Sequence, residues 1–156
     1  MSILLSQILS ADRIVCNASC SSKKAALEML AGLIASGSSD LTQAEVFESL
    51  FSRERLGSTG LGNGIALPHG RLKNGKQTLA AFIRLQSGID YDAIDHKPVD
   101  LLFALLVPEE STDEHLQILS TLAELFSNKE FLDQIRMEDS SDIVFGMLTE
   151  KSDVRH

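Results

Sequence analysis

The residues best suited to chemistry lie in a glycine-rich stretch that ends in a histidine. Residues 57–71 read GSTGLGNGIALPHGR, with five glycines and with His69 between Pro68 and Gly70. Proline fixes its own φ and restricts the residue before it, while glycine leaves the far side of the histidine unhindered. The pattern predicts a neutral, nucleophilic imidazole held rigidly at the end of a strand. An exposed loop histidine without a chemical task fits the same residues equally well.

The glycines suggest a second property of this loop, which is anion binding. Glycine permits left-handed backbone, and consecutive N–H groups in such a loop can hold an anion. The residues predicted to bind phosphate are Ser58, Thr59, Gly62, Asn63, Gly64 and Gly70. Taken alone, such a loop is more often a surface connection without a ligand. Two known phosphate loops are excluded, because Gln77 replaces the Ser or Thr of a Walker A loop and Ile65 the third glycine of a dinucleotide loop.

Arg53 and His115 are candidates to complete a site around His69. Arg53 closes the helix that leads into the loop, so its guanidinium can fold back over an anion and bind it strongly. His115 lies in the first turn of a later helix, where the helix dipole favours a neutral ring that can donate one N–H. Each residue also has a plainer explanation. Arg53 can compensate the helix dipole, and His115 can pack above Leu119 and Leu122.

Composition and charge restrict the class of protein. The 156 residues are 44% hydrophobic with a net charge of −8, which fits a single globular domain over residues 1–156. The acidic balance argues against nucleic acid as a partner. Without a signal peptide or a run long enough to span a bilayer, we expect a cytoplasmic protein with no membrane insertion. Cys16 and Cys20 lack further zinc ligands, so free thiols are expected and no metal is predicted.

Periodicity and capping signals predict an α/β fold with a sheet sandwiched by helices. Helices are predicted over 23–36, from the capping box at Thr42 to before Gly57, from a second box at Ser111 to Phe126, and over about 129–137 and 141–150. Strands are predicted over 13–17, 78–85 and 99–107, with a short one around Tyr91. The run VDLLFALLV is apolar on both faces, which is typical of a central strand covered on each side.

Taken together, these motifs resemble a known family. The stretch REXXGSTGXGNGIAXPHG, which runs here from Arg53 to Gly70, is similar to the active-site segment of IIA components of the bacterial phosphoenolpyruvate phosphotransferase system. SKKAALEML, DAIDHKPVDLLFALLVP and the later histidine also fit, so the resemblance covers nearly the whole chain. Within that family the chain looks most like the nitrogen-regulatory branch of the mannitol/fructose superfamily. The fold implied is one mixed β-sheet sandwiched by helices.

The resemblance implies a phosphohistidine carrier that needs no cofactor. His69 falls on the phosphoacceptor, modified on its tele nitrogen, His115 on the second active-site histidine, and Arg53 on the arginine that faces the phosphoryl group. The implied donor is an HPr- or NPr-like phosphocarrier, and the implied targets are proteins such as sensor kinases or potassium transport proteins. An acidic residue stands in place of Asn63 in sugar-specific relatives, so the amide indicates the regulatory branch.

The remaining expectations concern mechanism and rival functions. We expect His69 to attack through its outer ring nitrogen, with the other nitrogen oriented by a backbone carbonyl, and Leu61 to help dock the carrier while Ile65 packs in the core. One rival is a sugar-specific IIA component that passes phosphate to a IIB component. Another is a regulator that acts by binding alone. A histidine-based hydrolase ranks last, because the loop lacks an evident general-base carboxylate.

Overall fold

The computed structural model describes residues 4–73, 75–110 and 112–153. In chain order its elements are α1 (Leu5–Ile8), a 3₁₀ turn (Ala11–Arg13), β1 (Ile14–Ala18), α2 (Lys23–Ala35), α3 (Gln43–Glu54), β2 (Gly60–Gly62), β3 (Ile65–Ala66), β4 (His69–Leu72), β5 (Leu79–Ile89), β6 (Val99–Pro108), α4 (Thr112–Leu125), α5 (Lys129–Arg136) and α6 (Ser141–Asp153).

The strands form one mixed sheet built around β6. Strand β5 pairs antiparallel with one side of β6, and β1 pairs parallel with β5. On the other side, β3 and β4 both run parallel to β6 and lie end to end along it, while β2 pairs antiparallel with β3. Strand β6 is therefore the central strand, as its continuous apolar sequence predicts.

The two faces of β6 feed two separate hydrophobic cores, because side chains alternate along a strand. Leu101, Phe103, Leu105 and Val107 pack with residues of α1, α4, α5 and α6. Leu102, Ala104 and Leu106 pack on the opposite face with residues of α2 and α3. The predicted α/β fold, with a mixed sheet sandwiched by helices, is confirmed.

The helix that leads toward the site begins where its sequence signals predict. Thr42 Oγ1 accepts from the backbone N–H of Glu45, and the Glu45 carboxylate accepts from the N–H of Thr42, which completes the capping box. The second predicted box involves Ser111, which lies outside the described residues. The short strand predicted around Tyr91 is wrong, because Tyr91 is a fully buried residue in an irregular segment.

The glycine-rich stretch is more regular than its sequence suggests. It folds into β2, β3 and β4 instead of one long loop. The chain turns sharply between β2 and β3, where Gly62, Asn63 and Gly64 all have positive φ. Pro68 interrupts the line from β3 to β4, since proline has no N–H for a sheet ladder. His69 therefore begins β4 opposite Leu105, and the prediction that it lies at the end of a strand is corrected.

Candidate functional site

The predicted histidines meet in a cavity of about 610 Å³ between α3 and α4, with β4 as its floor. Arg53 enters it from α3, His69 and Gly70 from β4, and His115 from α4. Two exposed leucines lie at its rim: Leu56 is 84% exposed and Leu116 is 58% exposed. Residues far apart in the chain thus form one largely apolar pocket that contains two histidines and an arginine.

His69 is oriented by the backbone just before it. Its Nδ1 lies 2.9 Å from the carbonyl oxygen of Leu67, which can only accept a hydrogen bond. Nδ1 therefore carries the proton, and the lone pair of the neutral ring is on Nε2. Burial is the main cause that lowers the pKa of His69, and the nearby Arg53 guanidinium lowers it further. The ring is consequently neutral and nucleophilic at pH 7.

His115 is held against His69, with the ring centroids 5.3 Å apart and the rings near perpendicular. Only 5% of its surface is exposed. Its Nδ1 accepts a 3.2 Å hydrogen bond from Nε of Arg71, and its buried Nε2 has no hydrogen-bond partner among the described residues. Burial first, then the proximity of His69 and Arg71, lowers the pKa of His115 to about 4. This histidine is a neutral N–H donor without an acceptor.

Two arginines place positive charge beside the histidines. Arg53 lies in the last turn of α3, and its Nη1 donates to the carbonyl oxygen of Gly57, which satisfies a group just beyond the helix end. Arg71 also lines the cavity but is not among the predicted site residues. Arg71 could have been predicted only if residues 69–72 had been recognised as a strand. Residues two apart in a strand share a face, so Arg71 lies on the same face as His69.

The hairpin between β2 and β3 is not part of this cavity, although Gly62, Asn63 and Gly64 were predicted to bind phosphate. The N–H of Asn63 donates to Asp95, and its carbonyl oxygen accepts from Arg136 at 2.6 Å. A Cβ at Gly64 would collide with the Arg136 guanidinium, so the glycine is required by packing. Asn63 and Gly64 line a different surface depression and Gly62 is buried, so the structure does not bring these three residues to His69, and phosphate binding by them stays a prediction.

Ser58 and Thr59 likewise form hydrogen bonds within the protein, Thr59 in a buried cluster around Glu54. Ser58 Oγ donates to the carbonyl oxygen of Tyr91. The Thr59 N–H and hydroxyl both donate to the Glu54 carboxylate, at 2.8 and 2.6 Å. Neither residue lines the His69 cavity, and the Ser58 hydroxyl and both Thr59 donors are bound within the protein, so phosphate binding by these residues stays a prediction.

The sequence analysis did not identify Glu54, although its side chain holds the start of the glycine-rich stretch in place. It is 5% exposed, and its carboxylate pairs with Lys23 at 3.0 Å and accepts from the Tyr91 hydroxyl at 3.1 Å. Burial, and next the Glu54 charge, raise the pKa of the Tyr91 hydroxyl, which stays protonated and able to donate. The glutamate therefore fixes the end of α3, from which Arg53 projects.

Gly70 is the one glycine of the predicted set that reaches the cavity. It pairs with Leu106 in the sheet. A Cβ at this position would lie 2.9 Å from the carbonyl oxygen of Ser49, so glycine is needed for α3 to pack directly on β4. The close packing brings Arg53 and His69 to the same pocket.

Other features of the described residues add no second chemical centre. Cys16 and Cys20 are free, and burial is the main cause that raises the pKa of each thiol. Within residues 4–73, 75–110 and 112–153, no group of three or more His, Cys, Asp or Glu side chains is placed to hold a metal ion. Every helix in the same ranges is too short or too polar to cross a membrane.

Comparison with known proteins agrees with the geometry. Residues 7–151 match the family model for the phosphoenolpyruvate-dependent sugar phosphotransferase system, EIIA 2. The chain is 40% identical to a nitrogen regulatory protein from Pseudomonas aeruginosa, over 95% of this chain and 96% of that one. A nitrogen regulatory protein from Escherichia coli is 41% identical over 94% of this chain and 90% of its own length.

Solved structures give the same result. The crystal structure of the nitrogen regulatory protein IIA-Ntr from Neisseria meningitidis superimposes with a TM-score of 0.88 at 46% identity, covering 93% of this chain and 99% of that one. IIA mannitol from Escherichia coli shares the fold with a TM-score of 0.75 at 20% identity, covering 89% and 97% of the two chains. The family suggested by the motifs is confirmed: this chain belongs to the EIIA type 2 family of the phosphoenolpyruvate-dependent sugar phosphotransferase system and, within it, is similar to the nitrogen regulatory proteins.

Proposed function

We propose that this protein is a cytoplasmic phosphohistidine carrier that receives a phosphoryl group on His69 Nε2 from an HPr- or NPr-like protein. The observation that carries the proposal is the 2.9 Å contact between His69 Nδ1 and the Leu67 carbonyl oxygen. It assigns the proton to Nδ1 and the lone pair to Nε2, on a ring that lines an open cavity. Membership of the EIIA family supports the same chemistry.

The transfer step needs little covalent work from the protein. The Nε2 lone pair of His69 attacks phosphorus on the donor's phosphohistidine, an N–P bond forms, and the donor's N–P bond breaks as its imidazole leaves. The ring of His69 gains positive charge during attack. The Leu67 carbonyl, already bound to Nδ1–H, stabilises that charge without moving.

The transferred oxygens need donors, and the cavity supplies them from separate elements. The guanidinium of Arg53 lies at the end of α3, where it can pair with two phosphoryl oxygens. His115 has an unused Nε2–H that can donate to a third. Because the pKa of His115 is about 4, the ring donates as a neutral group and does not compete as a proton source.

The rim of the cavity suits a protein donor. Leu56 and Leu116 are exposed on either side and provide apolar contact area for a carrier. Leu61, predicted to help in docking, is 41% exposed but belongs to the anchored hairpin, and Ile65 is buried in the core. A phosphoryl group at His69 adds negative charge to an already acidic protein, which would change its affinity for partners such as sensor kinases or potassium transport proteins.

A sugar-specific IIA component that phosphorylates a IIB component is the second candidate. The fructose-specific EIIA component of Haloferax volcanii is 34% identical over 82% of this chain, which keeps that function in view. Asn63 was expected to argue against it, because an amide leaves no carboxylate to repel the phosphoryl group. Asn63 does not line the cavity, so the neutrality of its side chain carries no such argument. A regulator that acts by binding alone is the third.

The test is phosphorylation of the purified protein by phosphoenolpyruvate, Enzyme I and an HPr-type carrier, followed by intact mass. We expect one acid-labile phosphoryl group on the wild type and none on His69→Ala. His96→Asn is the matched control, because His96 is an exposed turn histidine with φ of 59°, a conformation that asparagine adopts readily.

The outcomes separate the three candidates. If active carriers add no mass to the wild type, the carrier proposal fails and binding alone becomes the better explanation. If His69→Ala still gains an acid-labile group, the acceptor is another residue. Transfer from the phosphorylated protein to a fructose- or mannitol-type IIB component would favour the sugar-specific function.

A further inference from the structure

We propose that Arg71 is a positioning residue that holds His115 in the tautomer with its proton on Nε2. The inference deepens the proposed carrier function, since that is the tautomer needed to donate to a phosphoryl oxygen. The starting observation is the 3.2 Å hydrogen bond from Arg71 Nε to His115 Nδ1.

The direction of this hydrogen bond is fixed by chemistry. Guanidinium has only donors and does not lose its proton in proteins, so Nδ1 of His115 must be the acceptor. A neutral imidazole that accepts at Nδ1 carries its single proton on Nε2. In the other tautomer, Nε2 of His115 would be an acceptor. It would then face a phosphoryl oxygen, which is also an acceptor, and no hydrogen bond could form.

The backbone of Arg71 is held in place for this task. The residue pairs with Val107 in the sheet, and its carbonyl oxygen accepts a 2.8 Å hydrogen bond from the Ser49 hydroxyl of α3. Because Arg71 lies two residues after His69, both side chains project from the same face of β4. One short strand thus presents the nucleophile and the group that orients its neighbour.

The second ring nitrogen of His115, Nε2, shows what this tautomer provides. Nε2 is buried and has no partner among the described residues, although buried polar atoms are nearly always satisfied. An unpaired buried donor destabilises the resting protein, and a ligand oxygen that reached it from the cavity lined by His115 would remove that cost. The orphaned N–H is therefore readied for a ligand oxygen, and Arg71 is what keeps a proton there.

The test is nitrogen NMR of the histidine side chains in the unphosphorylated, ¹⁵N-labelled protein at pH 7.5, with signals of His115 assigned by their loss in His115→Ala. We expect an unprotonated Nδ1 and a protonated Nε2 in the wild type. Arg71→Lys keeps a donor and should keep this pattern. Arg71→Glu places a carboxylate oxygen at the same side-chain position as the arginine Nε, so Nδ1 of His115 should become protonated.

Arg55→Glu makes the same change of charge at an exposed helix end, where Arg55 contacts Glu48 and Phe51, and should leave the His115 signals unchanged. In transfer assays we expect Arg71→Glu to slow phosphorylation of His69 by on the order of 100-fold and Arg71→Lys by less than about tenfold.

The proposal is overturned if wild-type His115 carries a proton on Nδ1, or if Arg71→Glu leaves Nδ1 unprotonated. It is also overturned if Arg55→Glu shifts the His115 signals as strongly as Arg71→Glu. The NMR result does not depend on phosphoryl transfer. A protein that shows the expected tautomer but accepts no phosphate would contradict the carrier function alone, and the reverse result would contradict only the role of Arg71.

Discussion

His69 and the β2–β3 hairpin come from one continuous stretch of sequence, yet the cavity around His69 and the hairpin differ in how their polar groups are used. In the hairpin, the N–H and carbonyl of Asn63 are bound by Asp95 and Arg136, and Arg136 also binds Asp100. In the cavity, Nε2 of His115 has no partner among the described residues, and His69 keeps a free lone pair. Glycine content does not distinguish the two regions, whereas unsatisfied polar atoms do.

The largest expected contrast is between two arginines, one in each region. Arg53→Ala should slow phosphorylation of His69 by on the order of 100-fold, because a charged donor to the transferred oxygens is lost. Its hydrogen bond to the Gly57 carbonyl is at the surface, so the free energy of unfolding should fall by less than about 1 kcal/mol. Initial transfer rates and urea denaturation measure the two effects.

Arg136→Ala is the counterpart in the hairpin. It removes the pair with Asp100 and the hydrogen bond to Asn63, and should lower the free energy of unfolding by about 2–3 kcal/mol. The rate of phosphoryl transfer to His69, measured where the variant is folded, should stay within about threefold of wild type. No hydrogen-bond donor to the phosphoryl oxygens is lost in this variant. Equal losses of transfer in Arg53→Ala and Arg136→Ala would contradict the distinction between the regions.

The link between the regions is Glu54, and Glu54→Gln tests it. The change leaves Lys23 without its buried carboxylate and weakens the bonds to Thr59 and Tyr91, so we expect unfolding free energy to drop by about 3 kcal/mol. Glu48→Gln is the matched control, because the exposed pair of Glu48 with Arg55 should contribute less than about 0.5 kcal/mol. If urea denaturation gives both variants the same stability, the buried Glu54 carboxylate is not what holds the segment around Thr59 in place.

The dependence of stability on pH is expected to be smaller and to come from the cavity. The folded pKa of His115 is lowered to about 4, while the unfolded value is near 6.5, so the unfolded chain binds the extra proton. This contribution is fully present above pH 6.5 and is lost as pH falls toward 4. Between pH 7 and pH 5 it amounts to about 2 kcal/mol.

His115→Gln removes that titration and keeps a polar side chain. Urea denaturation at the two pH values should therefore show a loss of stability that is smaller in the variant than in the wild type. His69, whose pKa is also lowered, titrates in the same direction in both proteins, so some pH dependence remains in the variant. Identical pH dependence in the two proteins would contradict the neutral, buried state of His115.

The smallest expected effect is that of Asn63→Asp. Aspartate tolerates the positive φ of this position, and the residue lies on a surface other than the cavity. We expect a transfer rate within about twofold of the wild type, because the added charge is exposed and screened by salt. A large loss of phosphoryl transfer in this variant would show that the hairpin takes part in the transfer after all.

The parts of the fold that the sequence predicts are those with repeated signals. The apolar run of β6 and the capping box of α3 each combine several residues, and the structure has both elements where they are expected. The strands β2 and β3 are three and two residues long, too short for any periodicity to register. Tyr91 is an apolar ring in a polar segment, and only its distant partners Glu54 and Thr59 explain its burial.

The candidate site divides in the same way. His69, His115 and Arg53 were identifiable because each stands at the boundary of an element, where sequence signals are strong. Arg71 becomes visible only when residues 69–72 are known to be a strand, and Glu54 only when α3 is known to bury that face. Ser58, Thr59 and Asn63 do not line the cavity, for a physical reason that the sequence does not reveal: a donor in a glycine-rich stretch can be bound by other groups of the protein itself.

The packing of Ser49 and Gly70 limits how another protein can approach the site. Strand β4 pairs with β6 and with no other described strand, and an open strand edge normally invites a strand of another chain to add to the sheet. Here α3 lies directly on β4, and the Ser49 hydroxyl donates a hydrogen bond to the carbonyl oxygen of Arg71. Under the proposed carrier function, a partner would therefore reach His69 by surface contact instead of β-augmentation, and the same packing protects the edge from aggregation.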